Sequence, residues 1–310
     1  MLKYLPIGIQ TFDDIINMNY LYVDKTSQIY ELIKYPKGIY FLSRPRRFGK
    51  SLLISTLDAI FSNKRNLFKG LAIEKLDYKW KKFPIIRIDF SQIPNLTTKN
   101  LNTYLKKVLN DIAAQYNYRL KEKSNPAFML SELIQGLHAS HGPVVLLVDE
   151  YDKPIISNFH QIEVAKENKY FLQAFYGMIK PLDPYLRFIF LTGVSKFSKV
   201  SVFSGLNNLQ DISMDANFAD LCGYTQEELV SNFKVLDLLF LGIILLLFLP
   251  NNYGQFYTIL VVFSSALLIC SIDRNYISFK ILTNRKLVKL GLLSYPLYLW
   301  HWGIIVFSRW

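Results

Sequence analysis

Apolar residues along this chain follow two different rules. Up to about residue 234 they fall in short runs separated by polar stretches of helical period. GIYFLS at Gly38–Ser43, PIIRIDF at 84–90, PVVLLV at 143–148 and LRFIFL at 186–191 are short, rich in β-branched and aromatic residues, and read as strands. The segments 50–62, 98–122, 127–140 and 164–180 carry apolar residues three and four apart and read as helices. Strands spaced by helices predict parallel βαβ units, with helices on both faces of the sheet. The uninterrupted apolar run 144–148 suits the centre of such a sheet, where both faces are buried.

Beyond residue 234 the pattern changes to long uncharged runs. VLDLLFLGIILLLFL (235–249), FYTILVVFSSALLICSI (256–272) and a third run over 287–307 contain few charges, and from Val235 to Ile272 the only charged residue is Asp237. A membrane span needs about 20 apolar residues, so about three transmembrane α-helices are expected here, the first of them short. The intervening 273–289 holds Arg274, Lys280, Arg285, Lys286 and Lys289 against Asp273, which makes it the cytoplasmic loop. That orientation leaves residues 1–234 in the cytoplasm, in line with a start, 1–10, that lacks the apolar core of a signal peptide. The expected location is therefore the membrane, reached through the C-terminal helices.

Composition sharpens this division. The 310 residues carry 36 Lys and Arg against 24 Asp and Glu, a net charge of +12, yet the mean hydropathy is +0.17. A basic soluble domain alone would not combine the two. Residues 235–310 hold six basic and two acidic residues, which leaves 30 and 22 for 1–234, a net of +8. That excess admits nucleic acid as a partner, but the basic residues are scattered and no reading motif accompanies them. Aromatic residues at 15% exclude disorder, and two cysteines, Cys222 and Cys270, exclude a disulfide scaffold. His138, His141 and His160 lack the neighbours of a zinc site.

Candidate chemistry sits where strands end. Arg44-Pro45-Arg46-Arg47-Phe48-Gly49-Lys50-Ser51 follows the first strand and opens a helix. Strand, turn and helix N-terminus is the context in which free N–H groups and the helix dipole hold phosphate. Gly49 lets the backbone approach, Lys50 reaches the outer phosphates, and Ser51 offers its hydroxyl to Mg²⁺. The pattern G-x-x-x-x-G-K-[ST] asks for Gly at position 44, where Arg44 stands. The third strand ends in Asp149-Glu150, a Walker B pair: Asp149 for Mg²⁺ and Glu150 for the attacking water. The fourth ends in Thr192-Gly193-Val194-Ser195-Lys196, where Thr192 or Ser195 is placed to sense a γ-phosphate. The candidate catalytic residues are thus Glu150 and Lys50. The candidate nucleotide contacts are Arg46, Arg47, Phe48, Gly49, Lys50, Ser51, Asp149 and Thr192, with Ser51 and Asp149 on Mg²⁺. Arg46 and Arg47 carry charge for phosphate or for a partner, and Arg187 and Lys196 could serve similarly at a subunit interface, which keeps an oligomer open.

At these residues the chain resembles the predicted AAA-ATPase-like proteins over about residues 4–233. The resemblance rests on LPIGIQTFDDI, NYLYVDKTSQIYELI, YFLSRPRRFGKSLLISTL, LLVDEYDKPI, FIFLTGVSKFSKVSVFSGLNNLQDIS and FADLCGYTQEEL. It implies a P-loop NTPase-like core that takes ATP with Mg²⁺, and it makes S-R-P-R-R-F-G-K-S the family's own form of the Walker A loop. It also implies further helical sequence and a PD-(D/E)XK nuclease-like domain, in whose place the apolar runs stand. LGLLSYPLYLWHWGIIVFSRW (290–310) is similar to a late membrane segment of the acyltransferase 3 family. That family's catalytic His lies near its first span and has no counterpart here, so acyl transfer is not expected. The two resemblances meet at Asn232-Phe233-Lys234-Val235, which is no polar linker, and the chain reads as a fusion or chimeric gene product of two incomplete parts. The expected function is ATP binding with hydrolysis. The alternatives are a non-hydrolysing nucleotide-binding scaffold and a membrane acyltransferase fragment.

Overall fold

The computed structural model describes residues 3–93, 97–195, 203, 206, 208–228, 284–286 and 288–289. The chain divides into two units, Met1–Gly223 and Tyr224–Trp310. In the first, two short helices, α1 (Phe12–Asn17) and α2 (Thr26–Ile33), precede β1 (Gly38–Ser43) and α3 (Lys50–Phe61). Then come β2 (Ile85–Asp89), α4 (Thr98–Gln115), α5 (Pro126–His141) and β3 (Val144–Asp149). The one-turn α6 (Lys153–Ile156), α7 (Ile162–Gly177), β4 (Leu186–Gly193) and β5 (Gln210–Asp211) complete the unit.

The strands form one sheet in the order β2-β3-β4-β1-β5, and every pairing is parallel. The period of two along each strand sends alternate side chains to opposite faces. Phe41, Ile86, Ile88, Val144, Leu146, Val148, Ile189 and Leu191 pack under α4, α5 and α7. Tyr40, Leu42, Val145, Leu147, Phe188 and Phe190 pack under α1, α2 and α3. All six residues of β3 are buried, as a central strand covered on both faces requires. Each fully buried Leu, Ile or Phe contributes about 1.5–3 kcal/mol, so these two layers hold the strand ends in place. The fold is α/β, with helices on both faces, as the alternation of patterns predicts.

Some boundaries differ from the sequence reading, each for a local reason. The predicted helix 98–122 stops at Gln115. Asn117 takes a left-handed φ of 54°, and the Tyr118 N–H turns back to the Ala113 carbonyl at 2.8 Å, a capping turn that ends the helix. β4 runs two residues past 191, so Thr192 and Gly193 belong to the strand. The helices α1, α2 and α6 and the two-residue β5 are additions to the predicted elements. In the second unit, Thr225 and Glu228 form a capping box: each backbone N–H donates to the other's side-chain oxygen, at 2.8 and 3.1 Å. Among the described residues no helix is long and apolar enough to cross a membrane. Apart from Val288 and Lys289, the three apolar runs lie outside the described residues.

Candidate active site

The loop after β1 is built to present backbone N–H groups. Gly49 caps α3 with φ 86° and ψ 15°, a left-handed conformation that glycine adopts without strain. The Leu53 N–H is the first to close a helical bond, to the Gly49 carbonyl at 2.9 Å. The N–H groups of Lys50, Ser51 and Leu52 therefore stand at the positive end of the helix. Arg47 also has a positive φ, 66°, a costly conformation for a residue with a Cβ. Arg46, Arg47 and Phe48 are exposed along the loop, and Ser51 is half-buried in the first turn of α3.

Lys50 is buried, 6% exposed, and its ammonium donates to the carbonyls of Arg44 and Pro45, both at 2.9 Å. Burial pushes its pKa down, and the charges of Asp149, Cys222, Glu150 and Asp152 oppose that shift. Asp149, 2% exposed, ends β3. Its Oδ1 accepts from the Thr192 hydroxyl at 2.6 Å and from the Glu150 N–H at 3.0 Å. Those are its two hydrogen bonds among the described residues, and they leave Oδ2 for a cation. Because β4 lies between β1 and β3, Thr192 stands between the loop and the carboxylates. Glu150 leaves the strand at φ 52°, and its carboxylate pairs with Lys153 at 3.4 Å.

Just beyond, a second set of bonds joins the ends of β3 and β4. The buried Asp152 carboxylate accepts the N–H groups of Val194 and Ser195 at 2.9 and 2.6 Å, and burial pushes its pKa up. The Tyr151 N–H donates to the Thr192 carbonyl at 3.0 Å, and its hydroxyl donates to the Ser195 carbonyl at 2.9 Å. Gly193 lies so close that a Cβ there would stand 2.4 Å from the Tyr151 ring and 2.8 Å from the Asp152 carboxylate.

Residues 6–203, which contain the loop, Asp149, Glu150 and Thr192, match the family described as Predicted AAA-ATPase. The chain belongs to this family. Among curated proteins it is similar to the uncharacterized protein in the vnfD 5′ region of Azotobacter chroococcum mcd 1. The two are 44% identical over 229 residues, 73% of this chain and 44% of that protein. The chain thus spans less than half the length of that relative. Among solved structures it is similar to the Aeropyrum pernix ORC2 protein in its ADPNP-ADP complexes, with a TM-score of 0.31, 14% identity, and 76% of this chain and 52% of that one covered. It is also similar to Drosophila ORC bound to AT-rich DNA and Cdc6, with a TM-score of 0.30, 12% identity, and 84% and 38% covered. The α/β assignment rests on the sheet itself.

In this AAA-ATPase family member the sequence-derived candidates divide into two groups. Lys50, Ser51, Asp149, Glu150 and Thr192 gather at the carboxyl ends of β1, β3 and β4, where open parallel sheets bind ligands. Arg187 does not join them. It stands second in β4, at the other end of the strand, donates to the Ile33 carbonyl at 2.7 Å, and lies over the Phe61 and Phe83 rings at 5.8 and 5.7 Å. Lys196 lies outside the described residues. Of the two sensor candidates, Thr192 has its hydroxyl on Asp149, while Ser195 is engaged through its backbone N–H and C=O. Sequence reasoning missed Asp152, Tyr151 and Lys153, although Glu150-Tyr151-Asp152-Lys153 runs straight on from the strand end. It also missed Cys222, whose buried thiol is pushed up to about 11 by desolvation, against the pull of Arg44, Lys50 and Lys25. The family match ends at residue 203 and does not extend to the tail that resembles the acyltransferase 3 family.

Proposed function

We propose that this chain binds ATP as its Mg²⁺ complex at the carboxyl edge of β1, β3 and β4, and hydrolyses it. The observation that carries this reading is the convergence of a buried Lys50 at a helix N-terminus with a buried Asp149 held by Thr192. A buried ammonium whose pKa is pushed down by burial and held up by nearby carboxylates marks a functional-site candidate. The Gly49–Leu52 N–H groups and Lys50 take the β- and γ-phosphates, and Arg46 and Arg47 add positive charge from the exposed loop. The Ser51 hydroxyl and Asp149 Oδ2 form an all-oxygen donor set of the kind Mg²⁺ takes alongside phosphate oxygens. Bound there, the ion neutralises phosphate charge. Glu150 accepts a proton from, or orients, the attacking water, and for that its carboxylate exchanges Lys153 for the water. Thr192 holds Asp149 and would sense the γ-phosphate. Its sequence alone makes the 235–310 tail a membrane tether in this proposal, with residues 1–234 in the cytoplasm.

The test is calorimetric titration of the full chain with ATP–Mg²⁺, paired with a phosphate-release assay. Lys50→Ala is expected to abolish binding, and Glu150→Gln to keep binding while slowing release by about 10²-fold or more. Unchanged affinity in Lys50→Ala overturns the site. The Glu150–Lys153 ion pair favours one second reading, a domain that holds nucleotide without turning it over. Binding without phosphate release in the wild type would select it.

A further inference from the structure

Arg44 occupies the position where the phosphate-loop pattern asks for glycine, and its side chain turns away from the phosphate side. Its guanidinium donates to the Ser213 carbonyl, to the Phe218 carbonyl at 3.5 Å and to the Ala219 carbonyl at 3.4 Å. The segment it grips is fastened to the second half of the first strand and to the loop that follows. Tyr40 and Phe41 of β1 pair with Gln210 and Asp211 of β5. The Ile212 N–H donates to the Phe41 carbonyl at 3.0 Å, and the Ser43 N–H to the Ser213 hydroxyl at 2.8 Å. At the far end the Gly223 N–H donates to the Phe48 carbonyl at 3.0 Å. Residues 210–223 thus form a strap bonded to both ends of the loop that carries Lys50. Next to its last bond the strap buries Cys222, 8% exposed, within the fields of Arg44 and Lys50.

We infer that Arg44 is a positioning residue for the nucleotide site: it clamps the 210–223 strap to the phosphate loop, so that nucleotide binding and seating of the strap are one equilibrium. This rests on the proposed nucleotide reading. The physical ground is the fork of the guanidinium, whose several donors in fixed geometry can bridge three carbonyls at once, which a lysine ammonium does less well. The same loop supplies the two carbonyls that hold Lys50, those of Arg44 and Pro45. Phosphate that draws Lys50 away must re-form this loop, and the strap is bonded to it on either side of Lys50's carbonyl partners. By linkage, whatever tightens the loop around phosphate tightens the strap, and the reverse.

Cys222 reports strap seating. The full chain is labelled with a maleimide, with and without ATP–Mg²⁺. Modification is quantified on the Cys222 peptide by mass spectrometry, which keeps Cys270 separate, and nucleotide affinity is titrated in parallel. In the wild type, ATP–Mg²⁺ is expected to slow Cys222 labelling by about 5-fold or more. Arg44→Met keeps the length without the donors. It is expected to lose most of that protection and to bind nucleotide about 10-fold more weakly, the scale of one lost charge-assisted bond. Arg44→Lys should fall between. A merely structural Arg44 would raise labelling equally with and without nucleotide. Ser213→Ala removes one strap bond and no charge, which gives a second variant should Arg44→Met fail to fold; it should lose part of the protection. Wild-type chain that binds ATP–Mg²⁺ but labels at an unchanged rate overturns the clamp and leaves the nucleotide site standing, as does full protection in both Arg44→Met and Ser213→Ala. Wild-type chain that binds no ATP–Mg²⁺ overturns the site and the clamp together.

Discussion

Gly193→Ala adds one methyl group at the point where the ends of β3 and β4 are joined, and its effect can be worked out from the packing. The new Cβ would lie 2.4 Å from Tyr151 Cε1, 2.6 Å from Cδ1 and 2.8 Å from Asp152 Oδ1. Carbon atoms in contact settle at about 3.5–4.0 Å, so more than an ångström must be found. The Tyr151 ring cannot supply it cheaply. It is fully buried, packs edge-on against Phe41 with centroids 5.4 Å apart, lies 4.8 Å from Phe203, and is tied through its hydroxyl to Ser195. Overpacking of this kind costs about 1–3 kcal/mol, and loss of the Tyr151–Ser195 bond adds about 1 kcal/mol. For a chain of this size each kcal/mol moves the melting temperature by about 2–4 °C, so the melting temperature of Gly193→Ala should fall by about 4–16 °C. Tyr151→Leu removes the clashing ring edge, and the double variant should be more stable than the two single effects added, by about 1 kcal/mol or more. A melting temperature within about 1 °C of wild type, or strict additivity in the cycle, would refute the claim that the glycine is required by Tyr151.

Three further outcomes follow from the same geometry. Lys50→Met replaces a buried ammonium by an apolar chain of similar length; the ligand-free protein should melt higher, by about 1 kcal/mol in stability, while the added stability that ATP–Mg²⁺ gives the wild type disappears in parallel melts. Thr192→Val keeps the volume but removes the donor to Asp149, which should cost about 1.5–3 kcal/mol in urea unfolding and lower kcat more than it raises KM. Burial raises the Asp152 pKa above its ordinary 3.8, so its contribution to stability is full below that value and is lost as pH rises through the shifted pKa. Urea midpoints measured from about pH 3.5 upward should therefore fall with pH in the wild type relative to Asp152→Asn, and parallel curves for the two proteins would show that the carboxyl does not titrate in that window.

The elements legible in the sequence were those whose cause is local. β1 was bounded by Gly38 and by the Arg44–Gly49 turn, and β3 by its unbroken apolar run, so both were placed within a residue of where they lie. α4 was overextended because 116–122 still carries helical spacing, and one left-handed Asn117 decides against it. β5 is only two residues long and exists through its pairing with β1, far earlier in the chain. No window of sequence contains that cause. The same division runs through the site. Lys50, Asp149 and Glu150 could be named because residue type and strand end suffice. Arg44 was read only as a departure from the glycine pattern, and Arg187 as a charge for a subunit interface, because nothing local shows that Arg44 grips a carbonyl 169 residues downstream, or that Arg187 lies near the start of its strand, at the opposite end of the sheet.

Strand order is what turns these separate motifs into one site. In the chain, the loop after β1 comes first, the carboxylates after β3 next and Thr192 last. In the sheet β4 lies between the other two, so the last motif to be made becomes the bridge between the earlier ones. Thr192 can bond Asp149 at 2.6 Å because β3 and β4 are adjacent, and the Arg44 N–H can reach the Gly193 carbonyl at 3.1 Å because β1 and β4 are adjacent. A single strand end thus touches both the loop that carries Lys50 and the Asp149 carboxylate through consecutive residues. Gly193 is then constrained twice, by the Tyr151 ring on its side-chain side and by the Arg44 N–H on its carbonyl. A change at this one position should disturb Lys50's loop and Asp149's carboxylate together, whereas a change at either motif alone should disturb one. That contrast separates a site assembled by strand order from two motifs that merely share a domain.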